Sequence, residues 1–93
     1  MKIVLNKCYG GFSLSGFACE KLDCRPYDYD DRLSRISEKL IDLIETYGSV
    51  KCSRSCAAIV IVEIPDETTD WEINEYDGLE TVTYVVDGKI HHA

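Results

Sequence analysis

Two adjacent glycines, Gly10 and Gly11, stand in the stretch NKCYGGFSLS (Asn6–Ser15) beside a thiol, two aromatic rings and two serine hydroxyls. Tandem glycines between a strand and a helix leave backbone amides bare of side-chain cover. Such amides, backed by the positive end of a helix dipole, suit an anion such as phosphate. Ser13 and Ser15 would add hydroxyl donors, and Tyr9 or Phe12 would stack on a base. The same residues equally describe a tight structural turn, for which glycine is the default residue. The stretch lacks the Lys-Ser/Thr of a P-loop and the spacing of a dinucleotide fingerprint. Arg32 and Arg35, at i and i+3, would share a helix face and could clamp a phosphate from the side. Against that stands ordinary pairing with Asp28, Asp31 or Glu38.

Other chemistry is thinly provided for. The two histidines, His91 and His92, sit at the C-terminal end, where a general base has no fixed position. Cys8 in the glycine turn is a conceivable nucleophile, but no base is placed beside it by the sequence. Cys19-x4-Cys24 and Cys52-x3-Cys56 are looser than the usual structural zinc knuckles, and Cys56 also begins an apolar strand. The five cysteines read as reduced thiols, several of them small core hydrophobes. The expectation is a protein without enzymatic activity, metal or cofactor.

The positioning elements follow from the hydrophobic pattern. KIVLN (Lys2–Asn6) reads as a strand buried on both faces. Ser15 is the N-cap of choice for a short helix to about Leu22, with Phe17, Ala18 and Leu22 inward. Asp23–Asp31 is irregular, with a short edge strand permitted around Tyr27 and Tyr29. Ser37 caps a second helix in which Leu40, Ile41, Leu43, Ile44 and Tyr47 share one face, and Gly48 closes it. That helix could begin as early as Asp31. SVKCSRSC reads as a polar loop. AAIVIVEIP is the strongest strand and belongs centrally in the sheet. WEINEY, Asp77-Gly78, LETVTYVV, Asp87-Gly88 and KIHH then predict an antiparallel meander with positive-φ turns. The fold class is α+β: a small antiparallel or mixed sheet of four or five strands, with two helices on one face. The other face should be polar or covered by a second subunit. Trp71, Tyr76 and Tyr84 either pack inward or make that face sticky.

The 93 residues make a single domain, residues 1–93, whose thin core favours a homo-oligomer. No apolar run suits a membrane span or an export signal, which predicts a cytoplasmic protein. The net charge of −7 is unevenly placed. Residues 1–54 carry nine Lys/Arg and eight Asp/Glu, whereas residues 55–93 carry one Lys (Lys89) and nine Asp/Glu. Phosphate contacts need cations, so this half has no nucleic-acid grip. An acidic face suits a basic partner instead, or simply keeps the protein soluble.

Three separated blocks carry a resemblance. MKIVLNKCYGGFSLS resembles the start of a family of short bacteriophage and prophage proteins, in which a strand runs into N-x-C-[FY]-G-G-F-x-L-S. LIDLIETYG is similar to that family's helix, with its Glu-rich end and glycine. IVIVEIPDETTDWEINEYDGLETV resembles its VEIP block followed by W-x-I-x-x-YDG-x-E. Arg35–Glu38, where the family carries a proline, and the tail beyond Val82 depart from the pattern. Members of that family are uncharacterised, and small phage proteins without enzymatic motifs often counter bacterial defences; the expectation is an anti-defence protein acting in the host cytoplasm on a nucleotide second messenger or a host defence protein, with a phage housekeeping or assembly protein as the plain alternative. In the reading favoured by the sequence, a homo-oligomeric sponge holds a nucleotide immune signal at Asn6, Cys8, Tyr9, Gly10, Gly11, Phe12, Ser13, Ser15 and Arg35. In the alternative, an anti-CRISPR-type inhibitor fills a nuclease's nucleic-acid channel with Glu63, Asp66, Glu67, Asp70, Glu72, Glu75, Asp77 and Glu80.

Overall fold

A computed structural model describes residues 1–93. The chain runs β1 (Lys2–Asn6), α1 (Gly16–Leu22), a 3-10 turn (Leu33–Ile36), α2 (Glu38–Tyr47), α3 (Ser49–Cys52), β2 (Ile59–Glu63), β3 (Asp70–Tyr76), β4 (Leu79–Val86) and β5 (Lys89–His92). It is an α+β fold with five antiparallel strands. They form two sheets rather than one: a β1–β2 ribbon and a β3–β4–β5 meander.

The ribbon is the middle of three layers. Strand side chains alternate between faces, and both faces of the ribbon are apolar. Val4, Ile59 and Ile61 pack with Leu14, Ala18, Leu40, Leu43 and Ile44 of the helical layer. Ile3, Leu5 and Val62 pack with Trp71, Val82 and Tyr84 of the meander. Full burial of each such aliphatic side chain contributes about 1.5–3 kcal/mol. This corrects the central place expected for β2. Its two-faced apolarity comes from layers above and below, while in its own sheet it is hydrogen-bonded only to β1. The face opposite the helices is covered by the chain's own meander.

Local elements mostly follow their cues. Ser15 Oγ accepts the Ala18 amide at 3.1 Å and caps α1. Ser37 stands at the start of α2 but offers only its carbonyl, to Ile41 N–H at 3.0 Å. The segment from Asp31 is a 3-10 turn and not an extension of α2. The Asp31 carboxylate accepts from the Ser34 hydroxyl (2.6 Å) and amide (3.3 Å), and these bonds hold its pKa below the usual value. Tyr27–Asp30 forms turns instead of an edge strand, and the expected loop after Gly48 begins with the single helical turn α3. Tyr47 leaves the core stripe and meets Phe17 edge-on, with ring centroids 4.9 Å apart. Both hairpin dipeptides take positive φ, Asp77 and Gly78 at 50° and 89°, Asp87 and Gly88 at 52° and 74°.

Candidate functional site

The ladder register decides which backbone groups of β1 need a partner from elsewhere. Lys7 N–H donates to the Ala58 carbonyl (2.8 Å) and Ile64 N–H to the Met1 carbonyl (2.9 Å). These two bonds fix which pairs exchange hydrogen bonds, and they leave Val4 and Asn6 with backbone groups on the outer edge. Two side chains cap that edge. Arg35 Nη1 donates to the Val4 carbonyl at 3.1 Å, and Glu80 Oε1 accepts the Asn6 amide at 2.7 Å.

Arg35 and Glu80 are also bonded to each other, Nη1 to Oε1 at 2.7 Å and Nη2 to Oε2 at 2.8 Å. Arg35 further donates from Nη2 to Asp30 Oδ1 (2.8 Å) and from Nε to the Tyr29 carbonyl (3.2 Å). All five guanidinium N–H groups are therefore spent. Its flat face lies 3.8 Å from the centre of the Phe12 ring. A buried arginine so engaged has nothing left for a phosphate, which corrects its expected role as a clamp. The expected partners Asp28, Asp31 and Glu38 are replaced by Asp30 and Glu80. Arg32 is engaged too. Its Nε and Nη2 donate to the Trp71 carbonyl (3.1 and 2.7 Å), and its guanidinium lies 4.0 Å from the Trp71 ring centre.

Asn6 is fully buried, and its side chain is committed within the chain. Nδ2 donates to the Cys8 and Gly78 carbonyls at 2.7 Å each, and Oδ1 accepts the Ala58 amide at 2.8 Å. The glycine turn is thereby tied to the Asp77-Gly78 hairpin and to the entry of β2. A Cβ on Gly10 would fall 1.7 Å from the Cys56 carbonyl oxygen, and one on Gly78 would fall 2.2 Å from the Gly11 nitrogen. Glycine at both positions is required by close backbone approach. Ser15 is spent on the α1 cap and on the Lys51 carbonyl, to which its hydroxyl donates at 2.6 Å. Ser13 is buried and receives Arg54 N–H on its carbonyl at 3.2 Å. Cys8 is half-buried, Tyr9 is exposed and Phe12 lies under Arg35. The structure thus gathers Asn6, Cys8, Gly10, Gly11, Phe12 and Arg35 around the hairpin, while the Ser15 hydroxyl is turned towards α3.

Two adjoining hollows flank this arrangement, of about 390 and 290 Å³. Asp30, Glu75 and Glu80 line both, Glu72 lines the larger, and Gly11, Phe12 and Tyr27 line the smaller. Of the cations at the larger one, Arg35 is fully engaged, while Arg32 is half-exposed and spends two of its N–H groups on the Trp71 carbonyl. A phosphate entering beside Gly11 would meet Asp30, Glu75 and Glu80 in a lining that holds no cation, which Coulomb repulsion opposes. A guanidinium or ammonium group suits the same space. The Glu75–Glu80 pair faces across the β3–β4 ladder, a like-charge juxtaposition relieved by Arg35 on Glu80 and by the Gly78 amide on Glu75 Oε1 at 2.5 Å.

The acidic set of residues 63–80 divides in the same way. Glu63, Asp66, Glu67, Asp70, Glu72, Glu75 and Asp77 are exposed. Glu80 is buried at 5 % exposure and belongs to the internal ion pair, which removes it from any contact surface. No three His, Cys, Asp or Glu side chains converge as metal ligands. Cys52 is buried with its thiol towards the Leu43 carbonyl, and Cys56 is exposed. His91 stacks on Tyr84 at 5.3 Å. No helix is long and apolar enough to cross a membrane. No family model, no curated protein and no solved structure matches the chain.

Proposed function

We propose that the protein is a non-enzymatic binding protein whose acidic meander and adjoining cleft dock on a basic protein surface of the kind that handles nucleic acid. The observation that carries this reading is the cleft itself: Asp30 and Glu75 open onto a common space beside the internal Arg35–Glu80 pair, and its lining holds four carboxylates against two arginines. Glu72 and Glu75 extend that negative lining to the exposed edge of β3, the strand that also bears Asp70. Together with the resemblance to phage proteins, this favours an inhibitor that occupies the nucleic-acid channel of a host defence nuclease in the host cytoplasm. Sequestration of a nucleotide at Gly10–Gly11 finds less support, because the turn is packed against Cys56 and Gly78 and opens onto carboxylates.

Binding to a panel of purified bacterial defence nucleases, measured over a range of salt concentrations, tests the proposal. Complex formation should weaken steeply as salt rises and be lost on charge reversal at the exposed pair Glu72→Lys and Glu75→Lys, with the fold retained in circular dichroism. Absence of association across the panel, or association indifferent to salt and to both substitutions, contradicts it.

A further inference from the structure

The end of α1 brings two cysteines together. Asp23 takes a left-handed φ of 51°, and its amide donates to the Cys19 carbonyl. Cys24 N–H donates to the same carbonyl at 3.0 Å. A helix end closed by such a bond folds residue i+5 back over residue i, the close backbone approach that a disulfide requires. Both side chains pack against the same helical core, and the Cys19 thiol points to the Leu14 carbonyl at 3.9 Å. Both are half-buried against the helical core, so neither is sealed from a small reagent. The other thiols are differently placed, Cys52 inside the core and Cys56 on the surface.

We propose that Cys19 and Cys24 form a reversible disulfide, a site of oxidative modification at the C-terminal cap of α1. The oxidant is a small-molecule disulfide such as oxidised glutathione. Cys19 acts first, because burial and the neighbouring Cys19, Asp28 and Asp23 keep the proton on Cys24 and push its pKa up to about 11. The Cys19 thiolate attacks one glutathione sulfur, expels a glutathione thiolate and carries the mixed disulfide. Cys24, on losing its proton, attacks the Cys19 sulfur and expels the second glutathione thiolate. Two protein thiols are oxidised, one glutathione disulfide is reduced to two thiols, and the two protons pass to the released thiolates or to solvent. The bridge would staple α1 to the Asp23–Tyr29 segment, which is already tied to the Leu14 amide through the Pro26 carbonyl at 3.1 Å.

The test is thiol mapping of the folded full-length protein equilibrated in glutathione buffers of increasing oxidised fraction, quenched by alkylation and digested with trypsin. Cleavage after Lys7 and Lys21 leaves Cys8 and Cys19 on one peptide and Cys24 on another, so a bridge shows as two peptides held together and lighter by two hydrogens, and fragmentation of the linked pair tells Cys19 from Cys8. The expected result is that bridge, with Cys8, Cys52 and Cys56 outside it, reversed by reductant and accompanied by a rise in melting temperature. Cys24→Ser should instead trap glutathione on Cys19. Full alkylation of both Cys19 and Cys24 under oxidising conditions, or a bridge made to another cysteine, overturns the proposal.

Discussion

Arg35 and Glu80, separated by 45 residues, meet through two hydrogen bonds of 2.7 and 2.8 Å, and each also satisfies one backbone group on the outer edge of β1. The pair stands where a further strand would otherwise lie. It joins the 3-10 turn, the ribbon and the meander at one point, and an open strand edge is closed without a third strand in that sheet.

Removing either partner leaves a buried charge and an unsatisfied backbone group. Arg35→Ala and Glu80→Ala should each destabilise the fold by about 3–5 kcal/mol, measured by urea unfolding. The double variant Arg35→Ala with Glu80→Ala should lose less than the sum of the single losses. Strict additivity would mean that the two side chains are not coupled.

The glycine turn separates steric need from conformational need. Gly10→Ala would drive a methyl group into the Cys56 carbonyl, whereas a methyl on Gly11 meets open space but at φ +89°. Gly10→Ala should therefore cost more than Gly11→Ala, about 1–3 kcal/mol against about 1 kcal/mol. Melting temperatures of the two variants give the order. A reversed order would show that the turn is not wedged against β2.

Ser15 is the one hydroxyl of the N-terminal stretch with a defined structural task. Ser15→Ala should cost about 0.5–2 kcal/mol through the lost helix cap, while leaving association with any basic partner unchanged. A loss of that association at full folding would return Ser15 to the binding surface.

Cys24 gives the reduced protein an alkaline signature. Its folded pKa, about 11, lies above the ordinary 9.0, so the unfolded chain releases this proton first. The contribution is level below pH 9, and stability declines as pH rises from 9 towards 11. Cys24→Ser should flatten that decline in thermal melts under reducing conditions. An unchanged slope would mean that the thiol is as free in the fold as in the unfolded chain.

Elements whose cause is local were legible in the sequence. The Ser15 cap, the apolar stripe of α2 and the Asp-Gly hairpins each carry their physics within a few residues. What was not legible depends on distant partners. IVIVE looks the same whether neighbouring strands or neighbouring layers bury it, so β2 was expected at the centre of a sheet. Arg35 sits among nearby acids and gave no sign that its counter-ion was Glu80. A signal did exist: Glu80 shares its strand face with Val82 and Tyr84, a charged residue aimed at the core, which demands a buried cation. The tandem glycines were ambiguous because close backbone packing and anion binding ask for the same residue.

The sign of the cleft is the point on which the functional reading turns, and an amide-resolved NMR titration measures it most directly. A short arginine-rich peptide should shift the amide signals of Gly11, Glu75, Gly78 and Glu80, and the shifts should vanish as salt rises. Cyclic and linear nucleotides should leave the same amides unmoved. Saturable shifts with a nucleotide at Gly10 and Gly11, and none with the peptide, would contradict the acidic docking surface and favour a phosphate site.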